Sequence, residues 1–355
     1  MSSRKADDDT AGRARTDGSA RGGDERARRD DDLSAPSPDA GPDSPTELKG
    51  RGWLAALKRT VKEFSEDNIS DWAAALTYYG VLSIFPGLLV LLSVLGLLGR
   101  DTTQAVTGTV EQAAPGQVGD FVKQIIAQAS ANEGTASFSA ILGLLVAFWS
   151  ASGYIAAFMR ASNAIYDVPE GRPIWKTLPI RLGVTAVIGL MLIISAVIVV
   201  FTGDVAQAAG DVIGLGSTAV TVWNIAKWPV LVVLISLMFA ILYWASPNAR
   251  HGGFRWVSPG GVFAVLLWIL ASAAFAVYLA NFADYNKTYG AVAGVIIFLV
   301  WLWISNIAIL LGAEMDAELE RGRAIAAGHP ADDEPFLQLR DDRKLKKDTD
   351  KGLGN

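Results

Sequence analysis

The sequence predicts an all-α, polytopic membrane helix bundle with six transmembrane helices and both termini cytoplasmic, and three observations lead there. Of 355 residues, 51% are hydrophobic and 19% charged, with a mean hydropathy of +0.31, too apolar and charge-poor for an ordinary water-soluble domain. The charges gather at the ends. Residues 1–50 hold nine Lys/Arg and twelve Asp/Glu, residues 314–355 hold eight and eleven, and the 263 residues between keep fourteen and thirteen. That interior divides into apolar runs of about 20 residues, enough at 1.5 Å per residue to cross a hydrocarbon core of about 30 Å. A soluble enzyme is thereby excluded.

Residues 1–48, rich in Asp, Arg, Gly, Ser and Pro, have almost no large apolar side chains and cannot bury enough area to offset the entropy of ordering, so they read as a disordered tail. No apolar h-region follows the early basic residues, so a secretory signal is not expected. Trp53, Leu57, Val61 and Phe64 then recur at helical spacing with Lys58, Arg59 and Lys62 on the other side. Such a helix rests either on an anionic membrane surface or on the protein's own loops, since periodicity does not identify the apolar partner.

Six apolar stretches follow, near 73–98, 138–159, 180–202, 228–245, 259–281 and 292–313. The fourth only just reaches across a bilayer. Assigning the N-terminal flank, the second and fourth loops and the C-terminal flank to one side places twelve Lys/Arg there against four on the other, Lys227 among the four. The positive-inside bias then puts both termini in the cytoplasm after an even number of crossings. The longest outer segment, about 100–137, carries an apolar helical stripe from Val118 to Ala129 that reads as a cap on the bundle mouth or an interfacial helix.

The net charge of −5 and the lack of a basic stripe give no support to nucleic-acid binding. With no cysteine and only His251 and His329, no cofactor and no metal site is expected. Glu314, Asp316, Glu318 and Glu320 beside Arg321 and Arg323 read as a solvated collar on a helix leaving the membrane. No ionisable residue lies near the centre of any expected span, which argues against a carboxylate proton relay and leaves a neutral or lipidic pathway open.

Within the first span, Pro86 removes a backbone donor and clashes with the carbonyl of Leu82, so a kink is expected. The kink either serves packing alone or opens a cavity edged by Tyr78, Tyr79 and Ser83. At the cytoplasmic edge, Asp71, Arg160, Asn163, Asp167, Arg181 and Glu314 share one depth, and Asp71 with Arg160 or Arg181 is the expected ion pair, against the alternative that all snorkel independently. At the last outer turn, Gly290, Ala291, Ala293 and Gly294 suggest close packing of the sixth span, with Asn306 available to a neighbour.

Three ordered motifs carry a resemblance. They are Asp71-Trp72-Ala73-Ala74-Ala75-Leu76-Thr77-Tyr78-Tyr79 followed by Leu82-Ser83-Ile84-Phe85-Pro86, then Arg160-Ala161-Ser162-Asn163-Ala164-Ile165-Tyr166-Asp167, and the stretch from Tyr289-Gly290 through Gly312-Ala313-Glu314 to Arg321. Together they resemble the YihY/BrkB family of bacterial inner-membrane proteins over roughly 50–322. The resemblance implies a multi-pass plasma-membrane protein with no established substrate, and an old ribonuclease BN label that the residue reading argues against. It singles out Asp71, Tyr78, Tyr79, Pro86, Arg160, Asn163, Tyr166, Asp167, Gly290 and Glu314 without assigning them roles.

The expected organisation is a charged tail over 1–48, a membrane domain over 49–322 and a charged cytoplasmic tail over 323–355. The expected function is non-enzymatic, the transport or translocation of a lipid-linked or hydrophobic molecule, with membrane lipids as partners. The alternative is a scaffold that recruits partners through its tails.

Overall fold

The computed structural model describes residues 41–97, 136–200, 217–281, 291–331 and 333–352. A 3-10 turn at Pro45–Leu48 leads into α1 (Lys49–Glu66), α2 (Ile69–Leu97), α3 (Ala136–Ile165), α4 (Ile174–Val200), α5 (Ser217–Ala245), α6 (Phe254–Asn281), α7 (Ala291–Ala326) and α8 (Arg343–Gly352). Among the described residues the only β pairing is one isolated antiparallel bridge, Ala249 with Leu339. The fold is all-helical, and α3 to α7 each contain a stretch long and apolar enough to cross a membrane.

Each of the six apolar stretches falls on a helix, α2 to α7 in order. The fourth is longer than its hydropathy suggested, because α5 begins at Ser217 and draws Lys227 into the helix. Lys227 is therefore not an outer-loop cation. Its side chain is buried, its ammonium donates to Asn224 Oδ1 at 3.2 Å and it lies 5.6 Å from the Trp228 ring centroid, so a polar and an aromatic neighbour share the cost of holding a cation among apolar residues. Helix α2 continues through position 86; the Pro86 side chain lies outside the described residues, as do Gly290 and the stripe from Val118 to Ala129.

Helix α7 is the hub, meeting α1, α2, α3, α5 and α6, while α2 pairs with α3 and α4 bridges α3 and α5. Close approach comes from small residues; of those at the outer turn, Ala293 is buried and Gly294 stands open. A Cβ on Gly294 would meet nothing within 4 Å, whereas one on Gly312 would stand 2.5 Å from the Tyr243 hydroxyl, 2.6 Å from Ala264 Cβ and 2.7 Å from the Gly260 carbonyl oxygen. Helices α6 and α7 thus touch through Gly260, Ala264 and Gly312, since without a hydrophobic drive inside lipid, packing at short range holds helices together.

Two kinds of surface follow. Leu190, Val233 and Leu270 are exposed at 59%, 67% and 67%, an outer belt suited to acyl chains. Inside, polar groups satisfy one another: Tyr154 donates to Asn306 Oδ1 at 2.8 Å, Asn306 Nδ2 donates to Thr77 Oγ1 at 3.0 Å and Thr77 Oγ1 donates to the Ala73 carbonyl at 2.8 Å. This chain ties α3, α7 and α2 where an unpaired polar group would be costly. Deeper indoles are likewise matched, Trp268 to Ser305 Oγ at 3.0 Å, Trp301 to Ser272 Oγ at 3.3 Å and Trp303 to the Ser70 carbonyl at 3.2 Å.

The α6–α7 contact yields a direct test. Gly312→Val should destabilise the protein in detergent by about 2–3 kcal/mol through overpacking, while Gly189→Ala, with nothing within 4 Å of the added Cβ, should be neutral or gain up to about 1 kcal/mol from helix propensity. Equal thermal unfolding temperatures for the two variants would contradict this packing.

Candidate functional site

The 36 residues of α7 extend about 54 Å at 1.5 Å per residue, well beyond a hydrocarbon core of about 30 Å. Its last turns carry Glu314, Asp316, Glu318, Glu320, Arg321 and Arg323, and all six are buried, Asp316 and Glu320 completely. The expectation of a solvated collar is thus overturned. The reason is that protein, not water, surrounds this extension: α1, the 246–253 loop, the start of α6 and the segment 333–341 all wrap it.

Most of these charges meet a partner, although Glu314 Oε2 and Asp316 Oδ2 are buried without a hydrogen bond among the described residues. Glu318 forms an ion pair with Arg59 of α1, whose Nη2 also donates to the Glu318 carbonyl at 2.9 Å. Arg321 lies 3.5 Å from Glu318, 3.7 Å from Glu63 and 3.2 Å from Glu334, and donates to the Ala331 carbonyl at 3.0 Å. Glu320 accepts from Arg323 Nε at 2.7 Å and from the Gly252 amide at 2.9 Å, and Asp316 accepts from the Gly260 amide at 2.6 Å. Buried ions persist only when paired and hydrogen-bonded in this way. His251 is held neutral beside them, its pKa pushed down to about 3 by burial and by the charges of Arg340 and Arg323. Its ring meets Tyr166 edge-on at 5.1 Å.

A second set of bonds fastens the C-terminal segment to the same end. Asn163 accepts from the Asn248 amide at 2.7 Å and donates to Glu170 at 2.9 Å. Asn248 Nδ2 donates to the carbonyls of Pro169 and Asp341 at 3.1 and 2.8 Å, while its Oδ1 accepts from the Asp341 amide at 3.1 Å. Arg172 grips Glu170 through Nε at 2.8 Å and Nη2 at 2.6 Å and also donates to the Ser246 carbonyl at 2.8 Å. Although burial opposes it, the bonds from Arg172 and Asn163 hold the Glu170 carboxyl below its usual range. Residues 333–341, within the stretch 323–355 that composition marks as a charged tail, are therefore a strap built into the fold.

Beside this network an open cleft of about 640 Å³ lies where α2 begins and α3 ends, lined by residues including Asp67, Trp72, Arg160, Asn163, Asp167 and Glu170. The turn Asp67–Asn68 and the α3 exit at Asp167 shape its rim, with Asn68 and Asp167 at φ of 52° and 50°, a left-handed conformation that Asn and Asp tolerate better than most residues. Burial pushes the Asp67 carboxyl up, reinforced by Glu334 and Glu318 and opposed by its interaction with Glu314. Asp167, at the exposed rim, is pushed up to about 7 by desolvation first and then by Glu334 and Asp67, against Arg321. The cleft thus offers a guanidinium, an indole and a carboxyl that changes charge near neutrality, an arrangement able to hold a polar group at the edge of an apolar bundle.

The structure brings Arg160, Asn163 and Asp167 together in this cleft, and places Tyr166 and Glu314 just behind it, both buried. It separates others. Asp71 is exposed, and among the described residues no ion pair joins it to Arg160 or Arg181. Arg181 instead donates to Ser152 Oγ at 3.0 and 2.5 Å and stacks 5.1 Å from the Trp149 ring, and Arg160 lies 5.9 Å over Tyr79. Tyr78 is 62% exposed, while Ser83 Oγ donates to the Tyr79 carbonyl at 2.7 Å. Sequence reasoning missed Asp67, Glu170, Arg172, Asn248 and Arg59. The Asn68 turn just before the Asp71 motif was a signal for the first, but nothing local marks Asn248. Among the described residues, no three His, Asp or Glu side chains are grouped to hold a metal ion.

Asp167 carries a pH prediction. The folded protein keeps its proton at pH values where the unfolded chain, with a carboxyl near 3.9, has lost it, so the stabilising contribution declines as pH rises from about 4 through about 7. Asp167→Asn should remove that decline. The difference in thermal unfolding temperature should move in the variant's favour between about pH 5 and about pH 8, and a difference independent of pH would contradict the assignment.

No solved structure matches the chain. Among known proteins, it is 30% identical over 279 residues to a Bacillus subtilis protein named "Putative ribonuclease-like protein YfkH", covering 78% of this chain and 99% of that one. It is 27% identical over 305 residues to a UPF0761 membrane protein of Pseudoalteromonas atlantica, covering 82% and 94%, and 29% identical over 265 residues to one from Alteromonas mediterranea, covering 73% and 85%. The family model for Virulence factor BrkB matches residues 60–335, a stretch that takes in the cleft, the buried charges of α7 and the start of the strap. With its apolar helices, the chain is a multi-pass membrane protein and belongs to the BrkB family.

Proposed function

We propose that this protein moves, or helps move, a lipid-linked or hydrophobic molecule across the bilayer, engaging its polar end in the cleft formed by Asp67, Trp72, Arg160, Asn163 and Asp167. The observation that carries this reading is the position of that cleft, a polar pocket opening where α2 and α3 meet the charged end of an otherwise apolar bundle. In the same reading α2 to α7 cross six times, the charged end faces the cytoplasm, and both termini lie there, in keeping with the excess of Lys and Arg on that side. Arg160 would hold an anionic group, Trp72 the junction between head and tail, and Asp167 a proton-sensitive contact.

The protein acts in this reading without covalent chemistry. The acids that a nuclease would need, Glu314 and Asp316, are sealed within the α7 network, with Asp316 committed to the Gly260 amide. Reconstitution into liposomes tests both parts. Lipid exchange or solute flux should exceed that of empty vesicles, and Arg160→Glu should lower it about tenfold or more while the protein stays monodisperse, as expected when a charge-assisted contact becomes repulsive. Absence of movement for every lipid class tried would overturn transport. RNA cleavage by the purified protein that disappears in Glu314→Gln would overturn the non-enzymatic part.

A further inference from the structure

Helix α1 has two faces, and α7 covers only one. Ala56 and Thr60 are buried against α7, where Thr60 Oγ1 donates to Met315 Sδ at 3.7 Å and Arg59 engages Glu318, and Trp53 turns back to the Pro45 carbonyl at 3.0 Å. Arg59 and Trp53 are therefore spent inside the protein, contrary to the simple division of the helix into one apolar and one basic side.

On the uncovered face, Leu54, Leu57 and Val61 follow each other at spacings of three and four and are exposed at 54%, 40% and 70%. Next to this apolar strip run Arg51, Lys58 and Lys62 at spacings of seven and four, all exposed. Lys62 is shared with Glu63 and Glu66 at 3.6 and 3.1 Å, whereas among the described residues Arg51 and Lys58 have no carboxylate partner. At the start of the helix an open groove of about 630 Å³ is lined by Leu48, Lys49, Gly50, Arg51 and Leu54, combining apolar walls with two cations.

The geometry points to an anionic-lipid binding surface on α1: the Leu54–Leu57–Val61 strip enters the headgroup and upper acyl region while Lys49, Arg51 and Lys58 hold lipid phosphates. An apolar strip edged on one side by cations is what an interfacial helix needs, because hydrophobic insertion and attraction to anionic headgroups then act together. The bilayer is already adjacent, since α1 runs directly into α2 through the Asp67–Asn68 turn and packs on the part of α7 that emerges from the membrane. A second protein could also cover the leucines, but the bilayer already lies beside this face, and its anionic headgroups meet the cations while its acyl region meets the strip. The inference concerns α1 alone and does not depend on transport.

The chain has no cysteine, so single positions can be labelled in the full-length protein. Leu57→Cys and Val61→Cys, each carrying an environment-sensitive fluorophore, are reconstituted into vesicles of phosphatidylcholine with or without about one third phosphatidylglycerol. Nitroxide-bearing lipid should quench both labels, more strongly in the anionic vesicles, and Arg51→Glu with Lys58→Glu should weaken the docked state by on the order of fivefold per cation. Quenching that ignores lipid charge and the two substitutions would overturn the inference. So would efficient disulfide formation between unlabelled Val61→Cys copies, which would assign the face to a second subunit.

Discussion

The demand that governs this molecule is that carboxylates and guanidiniums on the emerging end of α7 be matched once they are taken from water. Glu314, Asp316, Glu318, Glu320, Arg321 and Arg323 occupy successive turns of one helix, and a helix cannot pair all of them with its own residues. Two intrahelical contacts, Arg321 with Glu318 and Arg323 with Glu320, do part of the work. Further partners come from outside the helix: Arg59 of α1 for Glu318, the Gly252 and Gly260 amides for Glu320 and Asp316, and Glu334 of the strap for Arg321. Removing one partner would leave an uncompensated buried charge, which costs far more than the pair itself contributes. The positions of α1, the 246–253 loop and the strap are thus coupled through α7.

That coupling explains why a cleft exists. The α1–α2 turn and the α3 exit are each anchored on the charged core, by Glu63 near Arg321 on one side and by Asn163 to Asn248 on the other. Held from behind, they leave a gap lined mostly by polar side chains, with Trp72, Ala164 and Val168 as its apolar part. The strap matters in the same way: through Asn248 and Asp341 it locks the loops of α3 and α5 together, so residues beyond the last membrane helix help to shape the site.

Much of this was legible in the order of residues. The six apolar runs map onto α2 to α7, of which α3 to α7 are long and apolar enough to cross a membrane, because length and composition are written locally. Arg160, Asn163 and Asp167 fall together because they follow one another at the exit of a single helix. What failed was whatever depends on partners distant in sequence. Glu314 to Glu320 look like a solvated face when read alone, and only Arg59, some 259 residues away from Glu318, shows otherwise. Asn248 sits in an unremarkable Ser-Pro-Asn turn yet bonds Asn163, Pro169 and Asp341. The fourth helix extends beyond its apolar run because Lys227, which lowers local hydropathy, is accommodated within it by Asn224 and Trp228.

A double-mutant cycle on Arg59 and Glu318 addresses the matched-charge core most directly. Arg59→Met, Glu318→Gln and the double variant are compared with the parent by thermal or denaturant unfolding in one detergent. Coupling between the two sites of about 1–3 kcal/mol, with the double variant destabilised by less than the sum of the two single variants, is the result that buried pairing requires. Additive effects, with a coupling near zero, would mean that α1 is not held by the charges of α7 and would contradict the account.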